Sequence, residues 1–156
     1  MAENYDSKDL SWTWNGDFTL DESGDLAHNE EDALESVETE IVTIVKSSAG
    51  DWASHPRIGA NLWRFTGEPN TRANADKIKD AISVALVSAG VARKKDIRID
   101  VNAVSLDVVY VKIFLSATPT PFNRISSQTN TSLKSQYGQG IEVKFLFDTN
   151  TSAIYY

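Results

Sequence analysis

The sequence predicts an α+β domain in which two main helices pack on one face of a small, mostly antiparallel sheet. Two stretches carry apolar residues at helical spacing, and three stretches of strand-like apolar residues follow them. Helices and strands that segregate along a chain in this way are typical of α+β folds. The length of 156 residues suits a single domain, which we place at 12–156 after a flexible polar lead-in at 1–11.

The domain opens with a predicted β-hairpin at 12–20. Its turn is Asn15-Gly16, a pair that readily adopts the positive φ angles of a type I′ turn. A second turn is predicted directly afterwards, at 22–25. The alternation of side chains should place four apolar residues on one face of this element, namely Trp12, Trp14, Phe18 and Leu20.

Two amphipathic helices are predicted, at 30–48 and at about 71–89. Asn29 supplies an N-cap for the first helix and Gly50 a C-cap, while Gly90 ends the second helix. The buried stripe of the first helix should comprise Leu34, Val37, Ile41, Ile44 and Val45, and that of the second Ile78, Ile82, Ala85, Leu86 and Ala89.

Three strands are predicted in the second half of the chain. Residues 97–103 alternate apolar and polar side chains, which indicates a half-buried strand. A more apolar strand covers 108–117 and is ended by Pro119, and the last strand covers 141–147. The intervening residues 118–140 are dominated by Ser, Thr, Asn, Gln and Gly, which predicts a long polar insertion.

Composition narrows the class of partner. The chain has no cysteine, which excludes disulfides, thiolate metal sites and a cysteine nucleophile. Its net charge is −7, and residues 1–50 hold 13 acidic residues against Lys8 and Lys46. That charge opposes broad binding to nucleic acid or anionic lipid. No apolar run reaches the roughly 20 residues of a spanning helix, and the acidic start is unlike a signal peptide, so we expect no membrane partner.

The motifs of common enzyme classes are missing from the sequence. His28 and His55 are the only histidines, and no Gly-x-Ser-x-Gly elbow accompanies them. The chain also lacks a GxxxxGK[ST] loop, a GxGxxG motif and any recognisable metal-ligand spacing. We therefore expect no catalytic residue, no metal and no cofactor.

Two other functions stay open as alternatives. A peptidoglycan-degrading glycosidase needs two carboxyl groups about 5–9.5 Å apart, one of them with a raised pKa. Glu68 is the only acid in an aromatic setting, and a single acid does not make such a pair. A nucleic-acid-binding module would combine Trp52, Trp63 and Phe65 with scattered cations, but no recognised motif joins them. Those cations are Arg57, Arg64, Arg72, Arg93, Lys94, Lys95 and Arg98.

Residues 50–69 concentrate Trp, Arg, Pro and Gly in one irregular stretch. Trp and Arg dominate the energetics of protein interfaces. The loop therefore predicts a partner-binding surface formed by Trp52, Pro56, Arg57 and Trp63. The competing interpretation is that the aromatic residues of the loop cover the core, which we expect for at least one of them.

The same loop resembles a known protein family. The helix, Gly50, and then Pro56-Arg57-Ile58-Gly59-Ala60-Asn61-Leu62 resemble the Pro-x-x-Gly-x-x-Leu region of the baseplate wedge, or sheath-initiator, proteins of contractile phage tails. Upstream, Gly16-Asp17-Phe18-Thr19-Leu20 and Gly24-Asp25-Leu26 resemble the opening of the Mu-like branch, and the family has also been described as tail lysozymes. The resemblance covers about residues 10–117 and the last strand. The Glu-Pro-Arg motif of the family is reduced here to Arg93.

The resemblance implies a structural role without enzymatic activity. Such proteins occur in about six copies per baseplate, join the wedge proteins to a hub or tube-proximal protein, and receive strands of the tail sheath protein at a sheet edge. The chain would belong to the virion, at the tail baseplate, after assembly in the cytoplasm of the bacterial host. Further partner-binding residues implied in this way are Arg93, Ile141, Val143, Phe145 and Phe147.

Overall fold

The computed structural model describes residues 10, 17–27, 33–116 and 140–155. Its helices and strands confirm the predicted α+β class. The helices are α1 (Ala33–Lys46) and α2 (Arg72–Ser88), and the strands are β1 (Ile97–Ala103), β2 (Val108–Leu115), β3 (Ile141–Asp148) and β4 (Ile154–Tyr155). Two short 3-10 helices, Leu62–Phe65 and Lys94–Asp96, precede α2 and β1 respectively.

The strands form one antiparallel sheet in the order β1-β2-β3-β4. Its register aligns apolar residues across the strands: Ile99 pairs with Ile113, and Ile113 pairs with Val143. These three side chains are buried, whereas the next row, with Lys112 paired to Lys144, lies on the opposite face. The alternation of the sequence thus produces one core face and one outer face that carries charges.

Both helices cover the core face of the sheet. α1 packs against α2 and β3, and α2 packs against β1. The predicted stripe of α2 is confirmed, with Ile82 and Leu86 fully buried and Ala89 packed at the margin. In α1, Ile41, Ile44 and Val45 are buried as predicted. The side chain of Leu34 lies outside the described part of the chain.

The two helix ends differ in how well the sequence predicted them. Gly90 ends α2 as predicted, with φ +81° and its N–H donating to Val87 O at 3.1 Å, in a Schellman arrangement. The prediction for Gly50 is wrong, because α1 already ends at Lys46. Gly50, with φ +99°, instead lies in a separate turn that is closed by Asp51 N–H donating to Ser48 O.

Strand boundaries agree closely with the periodicity of the sequence. β1 has the predicted bounds, β2 ends two residues earlier than expected, and β3 continues to Asp148. β4 was not predicted, since a two-residue strand is too short to show a period. It pairs Ile154 with Phe147 and Tyr155 with Leu146.

The N-terminal region is described only at residue 10 and at 17–27. The predicted turn at 22–25 is confirmed, with Asp21 N–H donating to Asp25 O and an isolated bridge between Leu20 and Leu26. Phe18 and Leu20 are 47% and 65% exposed, respectively. Trp12, Trp14 and the Asn15-Gly16 turn lie outside the described residues, as do most of 1–11 and of 118–140.

Candidate functional site

The stretch 48–66, which we call the aromatic loop, folds back onto the C-terminal end of α1. Ala60 N–H donates to Ile44 O at 3.1 Å, and Asn61 N–H donates to Ser47 O at 3.4 Å. The side chain of Asn61 adds a bond, since its Oδ1 accepts from Ala49 N–H at 2.9 Å. The last carbonyls of a helix have no partner within the helix, so this return of the chain satisfies that of Ile44 and fixes the loop.

Gly59 closely approaches the backbone of residues 47–49, which directly follow the end of α1. It has φ +134°, and a Cβ atom built on it would lie 2.6 Å from Ser48 C and 2.7 Å from Ser47 O. Three residues later, Leu62 is buried in the core at 4% exposure. The structure thus explains the glycine and the leucine of the Pro-x-x-Gly-x-x-Leu pattern by close packing and by burial. The proline of the pattern, Pro56, is exposed.

The outer surface of the loop carries two large aromatic side chains. Trp52 is 46% exposed and Trp63 is 59% exposed, while Phe65 is partly buried against the core. Pro56 and Arg57 are exposed as well. Trp52 is oriented by its indole N–H, which donates to Ser47 Oγ at 3.0 Å. Of the three aromatic residues of the loop, Phe65 packs against the core, and the two tryptophans are available to a partner.

Hydrogen bonds tie the end of this loop to one end of the sheet. Gly67 N–H donates to Thr149 O at 2.8 Å, and Thr149 N–H donates to Asp107 O at 2.7 Å. The hydroxyl groups of Thr66 and Ser152 are also hydrogen bonded to each other. Trp63 therefore lies on a short helix whose end is fixed relative to the β2 and β3 termini.

The β3 residues predicted to contact a partner lie mainly in the core. Val143, Phe145 and Phe147 are 1%, 3% and 0% exposed, and Ile141 packs at the core margin. β3 itself pairs with β2 along its whole length and with β4 at its end. A role in partner binding stays a prediction for these four residues, and their burial makes any such role indirect, through the stability of the sheet.

β1 forms a sheet edge along its full length of seven residues. Val104 N–H donates to Val108 O, and Ser116 N–H donates to Asp96 O. The even-numbered residues of β1 therefore form the hydrogen-bonded pairs with β2. Because such pairs alternate along an antiparallel ladder, the N–H and C=O groups of alternate β1 residues point away from β2. The residues concerned are Ile97, Ile99, Val101 and Ala103. Within the described ranges, no strand pairs with this edge.

Arg93 lies apart from the aromatic loop, between α2 and β1. Its Nε donates to Asp96 Oδ2 at 2.7 Å, and the Arg93 side chain is 46% exposed. The remaining guanidinium donors are thus accessible, so Arg93 stays a predicted contact residue of its own.

The described carboxyl groups give no support to the glycosidase alternative. Glu68 is exposed, and its Oε2 accepts from Nδ2 of the buried Asn74 at 3.2 Å. Hydrogen bonds lower the pKa of Asp21, Glu142 and Asp148, with donors from Ser23, Lys144 and Asn150 as the largest causes. A general acid needs the opposite shift.

Glu142 should give the protein a measurable acid sensitivity. Its Oε1 lies 2.6 Å from Lys144 Nζ and 2.9 Å from Lys112 Nζ, and these two groups lower the pKa of Glu142 below its ordinary value of 4.5. A pKa that is lower in the folded state stabilises the fold above the unfolded-state pKa, and this stabilisation is lost as the pH falls through the folded-state pKa. Glu142→Gln should therefore weaken the decline of the urea midpoint between about pH 5 and pH 3. An unchanged decline would contradict this assignment.

No protein-family model, curated protein or solved structure matches this chain. Across the described ranges, no helix is both long enough and apolar enough to cross a membrane. In the same ranges, no group of three or more His, Asp and Glu side chains is placed to hold a metal ion.

The position of β1 at an edge of the sheet and the hydrogen bonding of two asparagines were not predicted from the sequence. The alternation of Ile97, Ile99 and Val101 with polar residues indicates a half-buried strand, but it does not show whether that strand lies at an edge of the sheet. Asn61 adopts φ +54°, a left-handed conformation that asparagine tolerates better than most residues. Buried Asn74, which donates to Pro69 O at 2.8 Å, has no signal in a single sequence.

Proposed function

We propose that this chain is a structural component of a contractile-tail baseplate, which links wedge proteins to the tube region and initiates assembly of the sheath. The sequence pattern around Gly59 and Leu62 supports this role, and so does the exposure of Trp52 and Trp63 on a loop that is fixed to the sheet. In this proposal the aromatic loop contacts a wedge protein. The sheet receives a strand from the first ring of sheath subunits.

The edge of β1, with which no strand in the described part of the chain pairs, is the observation that carries the proposal. Backbone groups at Ile97, Ile99, Val101 and Ala103 can hydrogen bond to an added strand without any change of fold. An edge of seven residues invites nonspecific pairing unless it is covered, and the strand of a partner would cover it. Sheath initiation by strand addition supplies such a strand.

Val101→Pro tests the proposal at this edge. Proline removes the outward N–H of residue 101 and is tolerated on edge strands, whereas it breaks interior ladders. We expect a folded chain that enters baseplates, with the fraction of sheathed tails reduced about tenfold or more. Electron microscopy of tails from cells that make the variant measures this fraction.

Val101→Thr is the matched control, because it keeps the N–H and the β-branched shape of the side chain. It should give sheathed tails at wild-type numbers. Circular dichroism and urea unfolding of the purified proline variant separate a lost contact from a lost fold. Sheathed tails at normal frequency with a folded Val101→Pro chain would remove β1 from the proposed interface.

Arg57→Glu tests the wedge contact of the aromatic loop. Arg57 is exposed, so reversal of its charge should change the stability of the isolated domain by no more than about 0.5 kcal/mol. At an interface the same change should weaken incorporation into baseplates several-fold, measured by immunoblotting of purified tails. Lys77→Glu, on the exposed side of α2, is the control for net charge. Normal incorporation of Arg57→Glu would exclude Arg57 from the contact.

A further inference from the structure

A groove of about 410 Å³ lies between the N-terminal half of α2 and the edge of β1. The helix contributes Arg72, Ala75, Asp76 and Lys79, and the strand contributes residues 99–103. The groove lies on the side of β1 that faces away from β2, where the outward backbone groups of Val101 and Ala103 are located.

The shape of the groove fits an extended segment beside β1. A strand added there would hydrogen bond to the outward backbone groups of Ile99 and Val101. Every second side chain of that strand would point to the same side as the core face of the sheet, and would enter the space under α2. Ala75, Val101 and Ala103 give this space an apolar floor.

Cations outnumber acids on the helix wall of the groove, and the acid on the strand wall, Asp100, has its carboxylate 3.4 Å from Arg98 Nε. Arg72, Asp76 and Lys79 follow one another at spacings of four and three residues, which places them on one face of α2. The helix wall of the groove thus carries two cations and one acid. Within the described part of the chain, neither Arg72 nor Lys79 forms an ion pair. An acidic side chain of an incoming strand would complement this surplus of positive charge.

We propose that the groove between α2 and β1 selects an extended segment of a partner protein that carries an acidic side chain between apolar ones on its inward face. Arg72 and Lys79 pair with the acidic side chain, and the outward backbone of β1 binds the main chain. The inference rests on the proposed function only for the source of the segment, which is then a strand of the sheath subunit. The preference for an acidic strand depends only on the residues of the groove.

Two synthetic peptides test this selectivity on the full chain in isolation. The first has the sequence Thr-Val-Thr-Glu-Thr-Val-Thr, and the second differs only by Lys in place of Glu. In NMR titrations at low salt, the Glu peptide should shift the amide signals of Ile99 and Val101, and it should bind about fivefold more tightly than the Lys peptide. The double variant Arg72→Glu/Lys79→Glu should reverse this preference.

Arg64→Glu/Lys77→Glu is the matched control, because it makes the same change in net charge at exposed positions outside the groove. It should keep the preference for the Glu peptide. Equal binding of both peptides, a preference that survives Arg72→Glu/Lys79→Glu, or no binding of either peptide would overturn the inference. Nuclear Overhauser contacts between Val101 and another segment of the same chain would also overturn it, since the chain would then fill its own groove.

The outcomes separate this inference from the proposed function. If the peptides show no charge preference while Val101→Pro still prevents sheath formation, the sheath-initiator role stands and the acidic selectivity is wrong. If the Glu peptide is preferred while the chain is absent from tail particles, the groove recognises acidic strands of a partner outside the tail.

Discussion

Gly59→Ala should destabilise the domain by about 3–5 kcal/mol, which combines the cost of a strained φ angle with that of a steric clash. The positive φ of +134° is unfavourable for alanine, and the added Cβ would meet backbone atoms of Ser47, Ser48 and Ala49 at 2.6–2.8 Å. Backbone atoms cannot move aside as a flexible side chain can. Either the segment around Gly59 separates from residues 47–49 or residues 47–49 shift. Urea unfolding and the thermal midpoint, which should fall by roughly 10 °C, measure the effect.

Gly67→Ala separates the two causes, because Gly67 also has a positive φ, +78°, but has no atom within 4 Å of its Cβ position. It should cost only about 1 kcal/mol. A similar loss of stability in both variants would mean that the positive φ angle alone explains the glycine in the Pro-x-x-Gly-x-x-Leu pattern. The close packing against residues 47–49 would then not be the reason. If Gly59→Ala lowers the free energy of unfolding by less than about 1 kcal/mol, the close backbone packing at Gly59 is contradicted.

Phe147→Ala should also destabilise the domain by about 3–5 kcal/mol, the usual cost of deleting a fully buried phenylalanine. Phe147 is 0% exposed and lies opposite Val109 on β2 and Ile154 on β4. Its loss leaves a cavity in the core, in the row of the sheet formed by Val109, Phe147 and Ile154, that neighbouring residues can fill only in part. Urea unfolding of the purified variant gives the change in free energy directly.

Leu146→Ala, one residue away in the same strand, should cost less than about 1 kcal/mol, because Leu146 points to the outer face and is 36% exposed. Comparable losses for the two variants would contradict the assignment of the faces of β3. A small effect of Phe147→Ala on stability, combined with a large effect on tail assembly, would restore Phe147 as a direct contact residue.

The sequence predicted those elements whose signal is local and repeated. β1 has its predicted bounds because Ile97, Ile99 and Val101 alternate with charged residues, a period that only a half-buried strand satisfies. The end of α2 at Gly90 was predictable because an αL residue after a helix is usually glycine. The same rule failed at Gly50, where the positive φ belongs to a turn beyond the end of α1.

What could not be predicted depends on contacts between segments far apart in the chain. The resemblance to baseplate proteins favoured Val143 and Phe145 as contact residues, whereas the structure buries both in the core. The order of strands decides which edge is open, and a single sequence carries no direct record of that order. Likewise, the exposure of Trp52 and Trp63 depends on how the aromatic loop returns to α1.

The most direct test of the baseplate role is immunogold labelling of purified tail particles with an antibody against this chain, before and after contraction. The proposal predicts label only at the baseplate end in both states, since a sheath initiator stays at the origin of the sheath while the sheath shortens. Particles without label in either state, prepared from cells in which the chain is expressed, would contradict the baseplate role. Label along the whole sheath would contradict the initiator role specifically.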